Sequence, residues 1–219
     1  MAENLKQLFG DKFFRVPDYQ RGYAWTKKQL DDFWNDIIEI QQDEVNGGFL
    51  RHYTGTIFIE KIPFSKIPES DKWLKGVEFF NVVDGQQRLT TIVILLHELL
   101  AAGDCEYGNE DIDSIYKNFI ASKNASGNSK IYKFCYVGEQ NSFLLNSIFE
   151  DASVIVKQRQ DTAYTRNLLA AKNFFKDKIS QLATKEDREE IYLKLITALQ
   201  FDILPCAIYY YTAVYNGFI

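Results

Sequence analysis

Two short clusters of polar residues hold the side chains of this 219-residue chain that are most suited to chemistry. The first, residues 84–88, reads Asp-Gly-Gln-Gln-Arg and is called the glycine turn below. An aromatic and β-branched run before it predicts a short buried strand over 77–83, and an apolar run after it predicts a helix over 89–102. A strand that turns on glycine into a helix directs free backbone N–H groups at one point, together with the positive end of the helix dipole. Such a point binds anions, and phosphate above all.

The side chains of the glycine turn suit a nucleotide and its metal ion. Gly85 lets the backbone approach phosphate, Arg88 offers a charged fork, and Asp84 can hold a magnesium ion or a ribose hydroxyl. Gln86 or Gln87 can orient an attacking water, as glutamines do in some phosphoryl transfers. The alternative is a polar loop capped by its aspartate. Consecutive polar residues between two apolar segments lower the stability of a fold, so their presence here indicates a function. We therefore favour a binding site over a simple loop.

The second cluster, residues 16–25, is called the aromatic segment below. Pro17 and Gly22 predict an extended strand or loop rather than a helix. Arginine is seldom buried without a charged partner, so Arg21 is expected to face a nucleotide phosphate or Asp84.

The rings of the aromatic segment have two possible roles. Core packing is the more common role for Tyr23 and Trp25, whereas Tyr19 or Tyr23 can stack on a base. Neither cluster alone has enough groups to bind a triphosphate. We therefore predict that the fold brings Gln20 and Arg21 into contact with the glycine turn.

Together the two clusters resemble the N-terminal domain of GmrSD-type, modification-dependent restriction proteins, a family related to the ParB/sulfiredoxin-like fold. The residues that carry the resemblance are Val16, Pro17, Tyr19, Gln20, Arg21, Tyr23 and Trp25, then 83–91, with 52–59 similar to the family's glycine-led strand. The resemblance is ordered over about 14–100 and weaker beyond. It implies nucleotide binding and hydrolysis that depend on the Asp-Gly-Gln-Gln-Arg segment, coupled to cleavage of foreign or modified DNA.

On these grounds we predict a nucleoside triphosphatase that regulates a restriction or anti-phage defence system. The expected nucleotide-binding residues are Tyr19, Gln20, Arg21, Gly85, Arg88 and Thr90. The expected catalytic residues are Asp84, Gln86, Gln87 and Arg88, with Asp84 holding Mg²⁺ or another divalent cation. Two alternatives remain open: a ParB-like binding switch with incidental turnover, and a metal-dependent DNA nuclease. DNA contact is expected through a full-length protein or a partner nuclease.

Composition excludes several other classes of protein. A hydrophobic content of 46% predicts an ordinary globular chain, and a net charge of −5 argues against a large DNA-wrapping surface. Neither a P-loop nor a Rossmann glycine pattern occurs, and the two histidines and three dispersed cysteines give no zinc spacing. The dispersed cysteines suit a reducing cytosol, and no signal-peptide pattern or membrane-length apolar run is found. We expect a cytoplasmic protein without a membrane partner.

The clusters need an α+β framework to position them. We predict a nucleotide-binding domain over 1–104, for which the resemblance implies a small mixed ParB/sulfiredoxin-like sheet with flanking helices. A mainly helical region over 105–219 is expected to pack on it. In the first part Thr26 begins a helix with a capping-box pattern, a strand follows over 53–62, and the loop over 61–75 is a candidate lid.

The second region gives weaker signals. The predicted features are a helix capped by Asn109, a flexible loop at 122–130, a strand over 131–137, helices over 162–182 and 185–200, and a strand over 203–211. In the family such a last strand leads into a helix and an Asn-x-Arg-Gly segment, which this sequence lacks. The chain is therefore expected to be truncated relative to the family.

Overall fold

A six-stranded mixed sheet holds both polar clusters in the computed structural model, which describes residues 2–124, 127, 129–138, 141, 143–149 and 162–206. Its strands are β1 (Glu3–Asn4), β2 (Lys12–Val16), β3 (His52–Lys61), β4 (Glu78–Asp84), β9 (Phe134–Tyr136) and β10 (Leu199–Pro205). Two hairpins complete the described strands: β5 (Glu106–Tyr107) with β6 (Glu110–Asp111), and β7 (Ala121–Lys123) with β8 (Lys130–Tyr132).

The strand order of the large sheet is β1-β10-β3-β4-β2-β9. β3 runs antiparallel to β4 and parallel to β10, while β2 runs parallel to both β4 and β9. This mixed sheet with packed helices confirms the predicted α+β class. β9 and β10 come from beyond residue 104, so the sheet takes strands from both predicted regions; the division at 104/105 stays a prediction.

The described α-helices are α1 (Leu5–Phe9), α2 (Lys27–Glu39), α3 (Gln86–Leu100), α4 (Ile112–Phe119), α5 (Ala163–Ser180) and α6 (Lys185–Leu193). Short 3₁₀ helices cover Phe64–Lys66 and Glu69–Asp71, and a π-helix covers Leu144–Phe149. α3 is buried along nearly its whole length and contacts α4, α5 and α6. Beyond its polar first turn it is mostly apolar and is buried on nearly every side, which is the pattern of a helix inside a core. No helix of the described ranges is both long enough and apolar enough to cross a bilayer.

The capping box predicted at the first helix is confirmed: at the start of α2, Gln29 Oε1 accepts hydrogen bonds from the Thr26 backbone N–H at 2.9 Å and from Thr26 Oγ1 at 2.7 Å. The cap predicted for the helix near residue 112 is wrong. Asp111, not Asn109, caps α4 by accepting a hydrogen bond from the Ser114 backbone N–H. Asn109 instead adopts a φ of 63° in the tight turn between β5 and β6, a conformation that asparagine tolerates better than most residues.

Two predicted elements have different bounds in the structure. The strand predicted over 131–137 is two strands, because β8 pairs with β7 while β9 joins the large sheet beside β2. The last predicted helix ends at Leu193, followed by a π-helical turn (Lys194–Ala198), and β10 already begins at Leu199. Residues 207–211 of the last predicted strand lie outside the described residues.

Candidate functional site

The glycine turn has the backbone that its sequence predicts. β4 ends at Asp84, Gly85 has a φ of 94°, and α3 begins at Gln86. A Cβ at Gly85 would lie 3.0 Å from Ile57 Cγ1 and 3.4 Å from Ile57 Cα. Both the left-handed conformation and the close packing against β3 therefore require glycine.

The two clusters meet through Gln20. Its Nε2 donates a hydrogen bond to the Val83 carbonyl at 2.8 Å, and its Oε1 accepts one from Gln86 Nε2 at 3.2 Å. The predicted contact between Gln20 and the glycine turn is thus confirmed. Arg21 is exposed and forms neither a hydrogen bond nor an ion pair with the described residues. The fold brings Gln20 to the turn without fixing the side chain of Arg21 there.

Gln87 fastens the aromatic segment to the start of α3. Its Nε2 donates to the Gly22 carbonyl at 3.1 Å, and its Oε1 accepts from the Ala24 backbone N–H at 2.8 Å. The side chain is buried, and each of its two polar atoms has a backbone partner, as buried amides require. The Gln87 amide thus provides the backbone of residues 22–24 with hydrogen bonds that a neighbouring strand would otherwise provide.

Arg88 reaches across to β3 and fills a bulge there. Its two terminal nitrogens donate to the carbonyls of Thr54 at 2.8 Å and Thr56 at 2.6 Å. Between them, Gly55 has a φ of 112°, and a Cβ on it would lie 2.1 Å from Arg88 Nη1. The register of β3 against β10 shifts at this place, which identifies the bulge.

Gly55 is a structural determinant that the sequence reasoning did not single out. The available signal was a glycine inside a strand-like run, which often marks a bulge or a close approach.

Thr90 and Tyr23 lie inside the core. Thr90 Oγ1 donates to the Gln86 carbonyl at 2.7 Å and pairs with the Tyr136 hydroxyl at 2.9 Å. Tyr23 is 1% exposed, and its hydroxyl pairs with Thr91 Oγ1 at 2.7 Å. Burial raises the pKa of Tyr136 to about 12 and that of Tyr23 further still, so both phenols stay neutral. These hydroxyls connect α3 to its neighbours within the core.

The groups left open near the turn are few. Tyr19 is 67% exposed, and Arg21 and Asp84 are exposed as well. Leu89 is the first residue of α3 whose backbone N–H bonds within the helix, to the Gly85 carbonyl at 3.1 Å. Helix geometry leaves the three N–H groups of 86–88 without an intrahelical acceptor. An anion bound here would meet backbone donors and the helix dipole.

A cleft of about 220 Å³ opens beside the turn, between α2 and β3. Trp25, Asp32, Asp36, Tyr53 and Arg88 contribute to its walls. The sequence reasoning did not single out Asp32 or Asp36 as site residues. The available signal was the four-residue spacing of the two aspartates, which puts them on one face of the helix.

The metal-binding capacity of the site is limited. In the described part of the chain, no three His, Cys, Asp or Glu side chains are grouped so that they could hold a metal ion. Asp84 is an exposed carboxylate directly before the N–H groups of 86–88. A single carboxylate suits Mg²⁺, which proteins usually hold through one or two carboxylates together with substrate phosphates and waters. The residues present fit a magnesium ion that arrives with a nucleotide.

Comparison with known proteins gives one finding. A family model described as GmrSD restriction endonuclease, N-terminal domain, matches residues 5–210. The match covers nearly the whole chain and includes the glycine turn, the aromatic segment and the cleft. No curated protein matches the sequence significantly.

Proposed function

The chain belongs to the family of the N-terminal domain of GmrSD restriction endonucleases, and from this premise we propose that it is a nucleotide-binding domain. The family suggests a restriction- or defence-related function, so the domain would control the action of such a system on DNA. The observation that carries the proposal is the glycine turn. N–H groups without an intrahelical acceptor at the start of α3 lie next to an aromatic segment that Gln20 and Gln87 hold in place.

Phosphates would bind at the start of α3. The N–H groups of 86–88 would donate to phosphate oxygens, and the exposed Arg21 would close over them and neutralise their charge. Arg88 adds positive charge from the first turn of α3, although two of its five N–H donors are engaged by β3. Asp84 would hold Mg²⁺ between the turn and the phosphates, directly or through water.

Hydrolysis would need a group that positions water. The Gln86 Oε1 accepts no hydrogen bond from a described residue, whereas both polar atoms of Gln87 are engaged. Gln86 is therefore the better candidate of the two for orienting an attacking water. We therefore propose, as the more specific form of this function, that the domain hydrolyses the bound nucleotide and that Gln86 orients the attacking water.

Calorimetric titration with the four ribonucleoside triphosphates, with and without magnesium, tests binding, and release of inorganic phosphate tests turnover. We expect saturable binding that strengthens with magnesium, and slow phosphate release that Gln86→Leu abolishes while binding remains. If none of the four binds, the proposed function is wrong.

A ParB-like binding switch without significant turnover is the second candidate. It is favoured by the engagement of Gln87 and Arg88, because their side chains connect three separate segments at the place where nucleotide would bind. Binding with no phosphate release, accompanied by a nucleotide-dependent change in sedimentation, would favour the switch. Nicking of plasmid DNA by the purified chain would instead support the third possibility, a nuclease that uses Asp84.

A further inference from the structure

The cleft between α2 and β3 contains charges of both signs that do not neutralise each other. Asp32 and Asp36 are exposed on α2, and neither carboxylate forms a hydrogen bond or an ion pair with a described residue. Arg88 lines the same cleft and forms no ion pair within the described ranges. One wall of the cleft therefore offers hydrogen-bond acceptors and another offers donors.

The separation of these charges is built into the fold. The carbonyls of Thr54 and Thr56 hold the guanidinium of Arg88 against β3, so it cannot swing to α2 without breaking both bonds. The two aspartates are four residues apart and lie one above the other on α2. The cleft thus keeps a fixed donor opposite a pair of acceptors.

Aromatic rings form other parts of the wall. Trp25 packs against Phe33 with a centroid separation of 5.9 Å, and both line the cleft. Tyr53 is 58% exposed, and its hydroxyl pairs with Thr56 Oγ1 at 3.2 Å. Such rings provide flat apolar surface for a planar ligand.

The size of the cleft limits the ligand. At about 220 Å³ it is smaller than the ~300–1,000 Å³ of typical drug-sized sites, which suits a single planar ring system better than a complete nucleotide. Two unpaired carboxylates also make it a poor site for phosphate, because like charges repel each other.

We propose that this cleft binds a nucleobase that carries both an amine and a carbonyl, namely guanine or cytosine. The carboxylates of Asp32 and Asp36 would accept hydrogen bonds from the amine of cytosine or from the N–H groups of guanine. The guanidinium of Arg88 would donate to the carbonyl oxygen of either base. Uracil has no amine, and adenine has no carbonyl. The inference rests on the proposed function for the source of the base, a nucleotide whose phosphates occupy the start of α3. A base from a DNA strand has the same chemistry.

The test compares ligands and variants by calorimetry on the 219-residue chain. The ligands are GTP, CTP, ATP, UTP and inorganic tripolyphosphate, and the variants are Asp32→Asn, Asp36→Asn and the double substitution. Glu39→Gln, an exposed carboxylate on the same helix outside the cleft, is the matched control. We expect GTP or CTP to bind about tenfold or more tighter than UTP, since a hydrogen bond to a charged group contributes that much. The double variant should lose this preference and still bind tripolyphosphate.

A control and a second arm separate the possible outcomes. If nucleotides and tripolyphosphate bind but the aspartate variants keep the same base ranking as Glu39→Gln, the base site is wrong and the proposed function stands. If no nucleotide binds, DNA is tested as the source of the base. Fluorescence anisotropy then compares the binding of single-stranded oligonucleotides that contain guanine, contain cytosine or consist only of thymine. Binding that requires guanine or cytosine and falls in the double variant supports the cleft with a DNA base; equal binding of all oligonucleotides overturns it.

Discussion

At the scale of single residues, the polar side chains of the glycine turn and the aromatic segment mainly join segments that are distant in sequence. Gln20, Gln87 and Arg88 all bond to backbone groups. A polar residue in an apolar setting was expected to mark a ligand site, but the carbonyls and N–H groups of other segments meet the same need. What remains exposed for a ligand is Asp84, Arg21 and Tyr19, beside the N–H groups of 86–88 that have no acceptor within the helix.

Gln87→Glu should destabilise the fold although the two side chains have nearly the same shape. The substitution puts a carboxylate oxygen against the Gly22 carbonyl, so two acceptors face each other and one loses its donor. We expect a loss of about 1–3 kcal/mol in the free energy of unfolding, measured by urea denaturation. Gln41→Glu, at an exposed position, should change it by less than about 0.5 kcal/mol. Equal stability of the two variants would contradict the fastening role of Gln87.

Arg88→Ala separates a binding role from a structural one. On the sequence alone, the expectation is lost nucleotide binding with an intact fold. The bonds to the Thr54 and Thr56 carbonyls now predict a structural cost as well, of about 1.5–3 kcal/mol for hydrogen bonds from a charged group. Thermal unfolding and calorimetric titration of the same preparation measure both effects. A variant that melts like the wild type would show that these bonds contribute little to stability.

At the scale of elements, the bulge in β3 and the first turn of α3 form one unit. Gly55 leaves the space that the Arg88 guanidinium occupies, and Gly85 lets the turn pack on Ile57 of the same strand. A displaced β3 would therefore move the start of α3 and one wall of the cleft together.

Gly55→Ala should be more harmful than the same substitution at Gly76, because the Arg88 guanidinium would have to move away from its two carbonyl partners. Both glycines have positive φ, so both variants carry a backbone cost of about 1–2 kcal/mol. Only at Gly55 does the new Cβ also meet a neighbour, 2.1 Å from Arg88 Nη1, whereas nothing lies within 4 Å at Gly76. We expect Gly55→Ala to lose stability beyond the Gly76→Ala value and to weaken nucleotide binding. Similar denaturation midpoints for the two variants would contradict the tight fit of Arg88.

Local sequence signals predicted the secondary-structure elements better than they predicted the hydrogen-bond partners of the site residues. The capping box at Thr26 and the positive φ of Gly85 depend on neighbours a few residues away, and both were predictable. The bonds of Arg88 depend on a bulge more than thirty residues earlier in the chain, and no periodicity encodes a bulge. The cap at Asp111 was missed because the tight turn between β5 and β6 shifts the start of α4 by two residues from the one predicted at Asn109.

At the scale of the whole molecule, the large sheet joins both ends of the described chain. β10 lies between β1 and β3, and the core is continuous across residue 104. A fragment of residues 1–104 should therefore fail to fold alone, because it lacks the strand that fills this position. Circular dichroism and amide hydrogen exchange of the fragment measure this. A cooperative unfolding transition in the fragment would instead support two separate domains.

The buried Lys133 should give the molecule a measurable pH dependence. Its Nζ donates to the carbonyls of Phe9 at 3.0 Å and Gly10 at 2.7 Å, and burial lowers its pKa to about 8. The pKa of an unfolded lysine is about 10.4, so between these values the unfolded chain binds more protons and stability rises with pH. Below pH 8 both states are protonated and this contribution is constant.

The measurement is the difference in unfolding free energy between wild type and Lys133→Met, followed from pH 7 to 9.5. Between pH 8 and 9.5 the wild type should gain on the variant by at most about 1.4 kcal/mol per pH unit. The buried tyrosines have raised pKa values, so their opposite effect begins only above about pH 10 and cancels in the difference. A flat difference over this range would mean that the ammonium group is not disfavoured by its surroundings.

The position of β10 also bears on how the chain folds as it is synthesised. During translation β3 and β4 leave the ribosome early, but the strand that pairs with the other edge of β3 is made among the last of the described residues. Until then a nascent chain carries an unpaired edge of β3, the kind of edge that templates aggregation. Parallel pairing between strands so distant in sequence is also slow to form. Efficient expression should thus depend on how well the cell shields that edge while translation is completed.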